Sequence, residues 1–152
     1  MMHRLEVTNP FDGSPVGEVK LSSASEVDTA LAIAEKTHKA NKKGLPKHER
    51  IAVLKKTADI MKVRADELAL LIASEGGKPL IDAKVEVGRA IDGVETCAAE
   101  IANNAGMEIP MDLTSAGEGK IAFTTKEPIG IVVAVSAFNH PLNLIVHQVA
   151  PA

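Results

Sequence analysis

The chain has 152 residues, 45% apolar and 24% charged, with a formal net charge of -3, which is typical of a globular protein with a hydrophobic core. Its charges are dispersed and it has three Phe but no Tyr or Trp, which excludes the basic, aromatic surface of a nucleic-acid-binding protein. The longest apolar run, 129–137, is far shorter than the ~20 residues that span a bilayer. The single cysteine, Cys97, excludes an internal disulfide, and the histidines lack metal-ligand spacing. We therefore expect a cytoplasmic protein with no metal and no membrane or nucleic-acid partner.

The chain begins with an alternating apolar pattern that predicts a short antiparallel hairpin. Apolar residues alternate before and after a turn cluster at 9–13, Asn-Pro-Phe-Asp-Gly, and such clusters typically separate two strands. A helix is predicted next. Ser25 followed by Asp28 resembles a capping box, and an apolar stripe from Val27 to Ala34 predicts a buried face. This helix should end at 41–44.

The middle of the chain predicts a long helical region. It opens at Pro46, and apolar residues recur at steps of three and four from Ile51 to Ile72, which is the spacing of one helix face. The pattern is long for a globular helix, so we expect a break at 64–66. Gly76 and Gly77 should end it.

A further helix is predicted from Leu80, with an apolar stripe that continues to Ala105 and a left-handed terminator at Gly106. Two long stripes in succession predict an antiparallel helical pair that covers a flat layer.

The sequence after 106 changes from helical to strand-like patterns. Residues 107–110 predict a short strand, and the alternation at 121–126 predicts an edge strand. Residues 129–135 form a continuous apolar run, which is typical of a parallel strand buried on both faces. The turn at 136–141 then leads into a terminal helix. Strand, tight turn and helix make half of a Rossmann-like unit, so the predicted fold class is α/β.

The stretch 127–152 carries the most specific signal. It reads EPIGIVVAVSAFNHPLNLIVHQVAPA and resembles the segment that characterises the NAD(P)-dependent aldehyde dehydrogenase superfamily. That segment has a Glu-Pro-Ile/Val-Gly entry, a buried strand, an aromatic-Asn-x-Pro-Leu turn and a helix ending in Ala-Pro-Ala. Further landmarks of the family occur upstream in the expected order: Thr8-Asn9-Pro10, Gly17-Glu18-Val19, Arg50 and Glu75-Gly76-Gly77-Lys78-Pro79.

The resemblance implies a truncated N-terminal part of the aldehyde dehydrogenase fold: a hairpin, long antiparallel helices and the start of a Rossmann-like parallel sheet. Residues 1–152 would form a partial cofactor-binding domain, within which 107–128 belong to the oligomerisation extension. The catalytic domain, with its nucleophilic cysteine and general-base glutamate, would be absent. The terminal helical pattern stops at Ala152 without a polar cap, which also leads us to expect truncation.

By the same resemblance, Asn139 is the amide donor that stabilises the oxyanion formed when a thiolate attacks an aldehyde. Ser136, Ala137, Phe138 and Asn139 would line the nicotinamide side of the site for NAD or NADP, largely through backbone contacts. The family often has Thr-Pro or Ile-Pro where this chain has Ser136-Ala137. The residues alone allow a different interpretation of Asn139, a side chain bonded to its own turn.

Two further residues are candidates for substrate binding. In branches of the family that act on phosphorylated or otherwise anionic aldehydes, an arginine near the position of Arg89 binds the substrate's anion, and a guanidinium suits this role. His140 stands where many relatives have an apolar residue, and it could contact a polar part of the substrate. The alternatives are a solvated surface arginine and a histidine satisfied by backbone. Cys97 is interpreted as structural.

The resemblance predicts a fragment of an enzyme that oxidises a small aldehyde, such as an anionic aldehyde or lactaldehyde, to an acid. We expect it to be inactive alone and to form a homo-oligomer, a dimer or larger. The alternative is a non-catalytic binding or scaffold module, or one half of a split enzyme.

Overall fold

The computed structural model describes residues 4–152. The elements in chain order are β1 Arg4–Thr8, β2 Pro15–Lys20, α1 Ala24–Ala40, α2 Lys47–Val63, α3 Ala65–Gly76, α4 Leu80–Asn103, β3 Glu108–Ile109, a 3-10 turn Ser115–Gly117, β4 Ala122–Phe123 and α5 Pro141–Val149. No helix in this part of the chain combines the length and apolar character that crossing a bilayer requires.

The predicted N-terminal hairpin is confirmed. β1 and β2 pair antiparallel, with Leu5 opposite Val19, and the turn between them is closed by Asn9, whose Oδ1 accepts the Phe11 N–H at 3.0 Å. The hairpin loop lies close to the end of α3, where Gly77 has a left-handed conformation with φ 65°. A Cβ at Gly77 would lie 2.8 Å from Pro10 Cγ, so this position favours glycine for two reasons. The end of α3 at Gly76 and Gly77 is as predicted.

The first helix differs from the prediction in two respects. Its capping box is formed by Ser23 and Glu26, not by Ser25 and Asp28, so the helix begins two residues before the expected start. The predicted stripe from Val27 to Ala34 is not buried, because no residue of α1 is buried. The stripe stays exposed because no other element of 4–152 covers it.

The helical centre of the molecule follows the prediction. The break falls at Arg64, between α2 and α3. Ion pairs join Lys84 to Asp66 and Lys62 to Glu95, so α4 runs antiparallel to α2 and α3. The buried core lies between these helices and α5, and it consists of Ala58, Met61, Ala69, Ile72, Ala83, Val87, Ala90, Ile91, Val94 and Val146.

The end of α4 was predicted incorrectly. The helix ends at Asn103 with Asn104 as its C-cap, and Gly106 does not have a left-handed conformation. Gly106 instead permits close approach of another chain segment, since a Cβ there would lie 1.6 Å from the Thr124 carbonyl oxygen. The two short strands predicted beyond it are confirmed as the antiparallel pair β3 and β4.

The predicted parallel strand at 129–135 is wrong for the described chain. These residues pair with no other strand of 4–152, and their side chains are largely exposed, Ile129 at 95%. A strand satisfies its backbone groups through neighbouring strands, and none is available here. The segment is held at its end by the Gln148 side chain of α5. Its Oε1 accepts the Val135 N–H and its Nε2 donates to the Val135 carbonyl, both at 2.8 Å.

The terminal helix α5 was predicted correctly, with Pro141 in its first turn. It packs against α4 and runs in the same direction. Glu86 of α4 contacts the start of α5, and Gly93 lies beside Val146, with 3.3 Å between a Cβ built at Gly93 and Val146 Cγ1. The small residue lets the two helices approach closely, and this contact places the turn at 136–140.

Two isoleucines of α4 test this description of the core. Ile91 is 7% exposed and Ile81 is 74% exposed. We expect Ile91→Ala to lower the free energy of unfolding by about 2–4 kcal/mol because it leaves a cavity, whereas Ile81→Ala should change it by about 0.5 kcal/mol or less. Chemical denaturation measures both, and equal effects would contradict the assigned core.

Candidate functional site

The start of α5 is capped by a carboxylate from another helix. Glu86 Oε1 accepts hydrogen bonds from the backbone N–H groups of Leu142 and Asn143, at 3.0 and 3.2 Å. Pro141 precedes them and has no N–H to satisfy. The first N–H groups of a helix lack intrahelical partners and carry a partial positive charge. Glu86 therefore supplies from α4 the cap that the sequence before α5 does not provide.

The second oxygen of Glu86 belongs to a three-residue polar cluster. Lys78 Nζ donates to Glu86 Oε2 at 2.5 Å and lies 3.0 Å from His140 Nδ1, and Nδ1 itself lies 3.4 Å from Oε2. Glu86 is 1% exposed, whereas the imidazole of His140 is partly open to solvent. The cluster thus extends from the buried carboxylate to the surface of the turn.

The environment of Glu86 favours its ionised form. Burial by itself raises the pKa of this carboxyl, but the hydrogen bonds from Lys78, Asn143 and Leu142 outweigh burial, and the pKa lies below its ordinary value. Hydrogen bonds and an opposite charge both stabilise a carboxylate. The pair of Lys78 and Glu86 is therefore a buried ion pair that also caps a helix.

The turn at 136–139 is exposed and its backbone is open. Ser136 Oγ donates to the Pro141 carbonyl at 3.1 Å, which closes the turn against the first residue of α5. The backbone N–H groups of Ser136, Ala137, Phe138 and Asn139 have no acceptor among residues 4–152. These four consecutive residues, predicted to line the cofactor site, form one exposed surface.

The contacts of Asn139, His140 and Arg89 bear on the alternative interpretations of these candidates. The Asn139 side chain makes no hydrogen bond within the described range, so it is not bonded to its own turn. His140 is not satisfied by backbone, because Lys78 and Glu86 are its neighbours. Arg89 lies on α4 one turn beyond Glu86, is exposed, and has no carboxylate partner in the described part of the chain.

Sequence reasoning missed the roles of Glu86 and Lys78. Lys78 was noted only as part of the family landmark that ends at Pro79. Glu86 did give a signal, since it is an acidic residue that falls between Ala83 and Ala90 in the apolar stripe of α4. A charged residue at a buried position needs a partner, so the pattern could have indicated an ion pair.

A cavity of about 290 Å³ lies away from the turn at 136–140, between α2, α4 and the end of the chain after α5. Cys97 lines it and is half-buried, but the turn at 136–140 does not contribute to it. Within 4–152, no three His, Cys, Asp or Glu side chains lie together in a way that could hold a metal ion.

Comparison with known proteins gives the family. A sequence profile of the aldehyde dehydrogenase family matches residues 2–152. Aspartate-semialdehyde dehydrogenase 1 of Pseudomonas canavaninivorans is 38% identical over 148 residues, which cover 97% of this chain and 31% of that protein. The chain belongs to the aldehyde dehydrogenase family, as the resemblance predicted.

Solved structures agree in fold. An aldehyde dehydrogenase from Physcomitrella patens, in complex with the reaction product succinate, matches 99% of this chain at a TM-score of 0.93 and 36% identity, over 31% of its own length. An NADP-dependent glyceraldehyde-3-phosphate dehydrogenase from Bacillus halodurans, complexed with NADP, matches 99% at a TM-score of 0.90 and 34% identity, over 32% of its own length. The chain thus spans about a third of the length of these proteins and has the N-terminal part of their α/β fold.

The depressed pKa of Glu86 predicts how stability depends on pH. A carboxyl whose pKa is lowered by folding stabilises the protein above its ordinary pKa of 4.5, and this contribution is lost as the pH falls through the lower folded value. Glutamine at this position cannot ionise. We expect wild type to exceed Glu86→Gln in free energy of unfolding near neutral pH, with the difference shrinking below about pH 4.5. A difference that grows on acidification would contradict this assignment.

Proposed function

We propose that this chain is the N-terminal portion of an NAD(P)-dependent aldehyde dehydrogenase that oxidises a small aldehyde to a carboxylic acid. The observation that carries the proposal is the open turn at 136–139, where the side-chain amide of Asn139 has no hydrogen-bond partner among residues 4–152 and lies just before α5. The family match and the fold of the solved relatives support it. On this proposal residues 1–152 are a partial cofactor-binding domain, and 107–128, which contain β3 and β4, belong to the oligomerisation extension.

Asn139 is the proposed oxyanion donor. When a thiolate attacks an aldehyde carbonyl, negative charge develops on the oxygen, and a fixed N–H donor stabilises that charge. The Asn139 amide has no competing partner in the described chain. It is followed by His140 and Pro141, which are held near α4 by Lys78 and Glu86. The donor is therefore available and its attachment is fixed.

The same turn fits a dinucleotide. When bound, NAD or NADP accepts the hydride that leaves the aldehyde carbon. The open N–H groups of Ser136, Ala137 and Phe138 can donate to its polar groups, and the exposed Phe138 ring offers an apolar surface. The Bacillus halodurans relative was crystallised with NADP. These residues would bind and orient the cofactor through the main chain.

We expect residues 1–152 alone to have no aldehyde dehydrogenase activity. The proposed reaction needs a nucleophilic cysteine, and Cys97 lies within α4, away from the turn and among the residues that line a different cavity. We expect the purified 152-residue chain to reduce neither NAD nor NADP with small aldehydes, as followed by absorbance of the reduced cofactor. Turnover above the blank would refute the assignment.

The other candidate function is a non-catalytic scaffold, or half of a split enzyme, which the open turn supports less directly.

The role of Asn139 can be tested in the complete dehydrogenase that carries this segment. Asn139→Ala removes the proposed oxyanion donor and should lower kcat by about 10²- to 10³-fold. Asn41→Ala is the matched control, because it removes an amide at the end of α1, away from the turn. If both variants retained wild-type kcat, Asn139 would not be the donor.

Arg89 is proposed to bind an anionic group on the substrate. Its side chain is exposed on α4, three residues after Glu86, and is not neutralised by a carboxylate of 4–152. The relatives named for aspartate semialdehyde and glyceraldehyde 3-phosphate act on anionic aldehydes, which supports a substrate of this class, and lactaldehyde is the uncharged alternative. His140, which follows Asn139 in sequence, is the second residue proposed to contact substrate.

A change at Arg89 should separate anionic from neutral substrates. Arg89→Ala should raise KM for succinic semialdehyde by about tenfold or more, since a hydrogen bond to a charged group contributes about 1.5–3 kcal/mol. KM for butanal, which lacks the carboxylate, should change little. Arg64→Ala serves as the control, because Arg64 is paired with Glu67 on the surface. Equal changes for both aldehydes would exclude anion binding by Arg89.

We also propose that the intact protein is cytoplasmic and a homo-oligomer. Within 4–152, β3 and β4 pair only with each other and Phe123 is exposed, which leaves strand edges available for a second copy. The single cysteine suits a reducing compartment.

A further inference from the structure

We propose that Lys78 and Glu86 form a positioning pair that fixes the turn at 136–140 and sets the tautomer of the neutral His140 ring, with the proton on Nε2. This inference rests on the proposed function, because the turn matters through Asn139 and His140. Lys78 and Glu86 contact that turn from the helical core. We assign them no contact with substrate; they act through Asn139 and His140.

The positions of three nitrogen and oxygen atoms set the tautomer of His140. A lysine ammonium has donors and no acceptor, and Lys78 Nζ lies 3.0 Å from His140 Nδ1. Nδ1 must therefore accept, and the single proton of the neutral ring resides on Nε2. The competing arrangement, in which Nδ1–H donates to Glu86 Oε2, has a longer distance of 3.4 Å. Lys78 already occupies that oxygen at 2.5 Å.

Two attachments flank the segment that contains Asn139, and Glu86 of the pair provides one of them. On its C-terminal side, the Leu142 and Asn143 N–H groups are held by Glu86 Oε1. On its N-terminal side, Ser136 Oγ is bonded to the Pro141 carbonyl. Only a few residues lie between these attachments. A displacement of about 1 Å at a reacting site can cost on the order of 10²-fold in rate, so an anchor at this place has kinetic consequences.

The tautomer has a consequence for the substrate. With Nδ1 occupied by Lys78, the partly exposed imidazole offers one N–H donor, on the residue that follows Asn139. That donor suits an oxygen acceptor close to the aldehyde carbon, such as a 2-hydroxyl or a carboxylate oxygen. We therefore assign to His140 the recognition of an oxygen substituent near the reacting carbonyl, while Arg89 would bind a more distant anion.

Nitrogen NMR tests the tautomer directly. The 152-residue chain labelled with ¹⁵N at histidine should show one ring with an unprotonated Nδ1 and a protonated Nε2, and His140→Gln identifies that signal by its loss. Lys78→Met should convert this ring to a mixture of tautomers. A wild-type His140 protonated on Nδ1, or a tautomer that Lys78→Met leaves unchanged, would overturn the proposal.

A double variant removes Lys78 without leaving an unpaired buried charge. Lys78→Met alone leaves a buried, unpaired carboxylate, which is strongly destabilising. Lys78→Met combined with Glu86→Gln leaves a neutral amide whose oxygen can still accept from Leu142 and Asn143. The double variant should fold and retain amide-exchange protection at the start of α5. Its new amide group can itself donate to His140 Nδ1, so Lys78→Met alone is used to test the tautomer and the double variant is used for kinetics.

Kinetics of the complete dehydrogenase test the effect on the reaction. The double variant should lose up to about 10²-fold in kcat, with a smaller change in KM for a neutral aldehyde without an oxygen substituent. Lys62→Met with Glu95→Gln is the matched control, since it removes another ion pair of α4 and should leave kcat unchanged. Equal losses in both double variants would show a general structural effect and overturn the positioning role. A wild-type enzyme without dehydrogenase activity would instead refute the proposed function, while the NMR result would still decide the tautomer.

Discussion

The buried carboxylate of Glu86 attaches the start of α5, and the turn before it, to the helical core. Removing a carboxylate from water costs several kcal/mol unless a partner and hydrogen bonds compensate. Here the compensation comes from two different places, Lys78 before α4 and the backbone of α5. A single side chain thus connects Lys78, eight residues before it, with the start of α5, 56 residues after it. Without it, α5 would retain its apolar contact through Val146, but the turn before it would have no fixed attachment to α4.

Local patterns were sufficient to predict the elements whose cause is local. The helices follow from apolar spacing, and the end of α3 follows from the conformational freedom of Gly77. The start of α1 was misplaced because Ser23 and Ser25 both satisfy the sequence pattern of a cap, and only the pairing with Glu26 distinguishes them. The strand predicted at 129–135 shows the limit of this reasoning. Its apolar run indicates burial, but a strand depends on partners that an isolated pattern cannot supply.

The candidate site also contains residues that the sequence could predict and residues that it could not. Asn139 and its neighbours could be proposed because the resemblance to the family rests on contiguous residues. Glu86 could not be placed in the site from periodicity, since a count of apolar positions passes over a charged residue within the stripe. Its partners are Lys78, eight residues earlier, and the start of α5, 56 residues later. Such a contact is a property of how α4 and α5 pack, which is decided by the small residue Gly93 and by the approach of Val146 to it.

The cap also constrains how this site can attract an anionic substrate. The start of a helix commonly binds anions through its free N–H groups and dipole. At α5 those groups are already bonded to the Glu86 carboxylate, whose charge is in turn balanced by Lys78. The helix terminus and the ion pair together therefore present little net positive charge to the turn. Attraction of an anion would then come from a side chain outside this network. This is the role that we propose for Arg89, which is exposed on α4 and has no carboxylate partner in 4–152. The proposed roles of Asn139 and His140 are then to distinguish oxygen atoms near the reacting carbon.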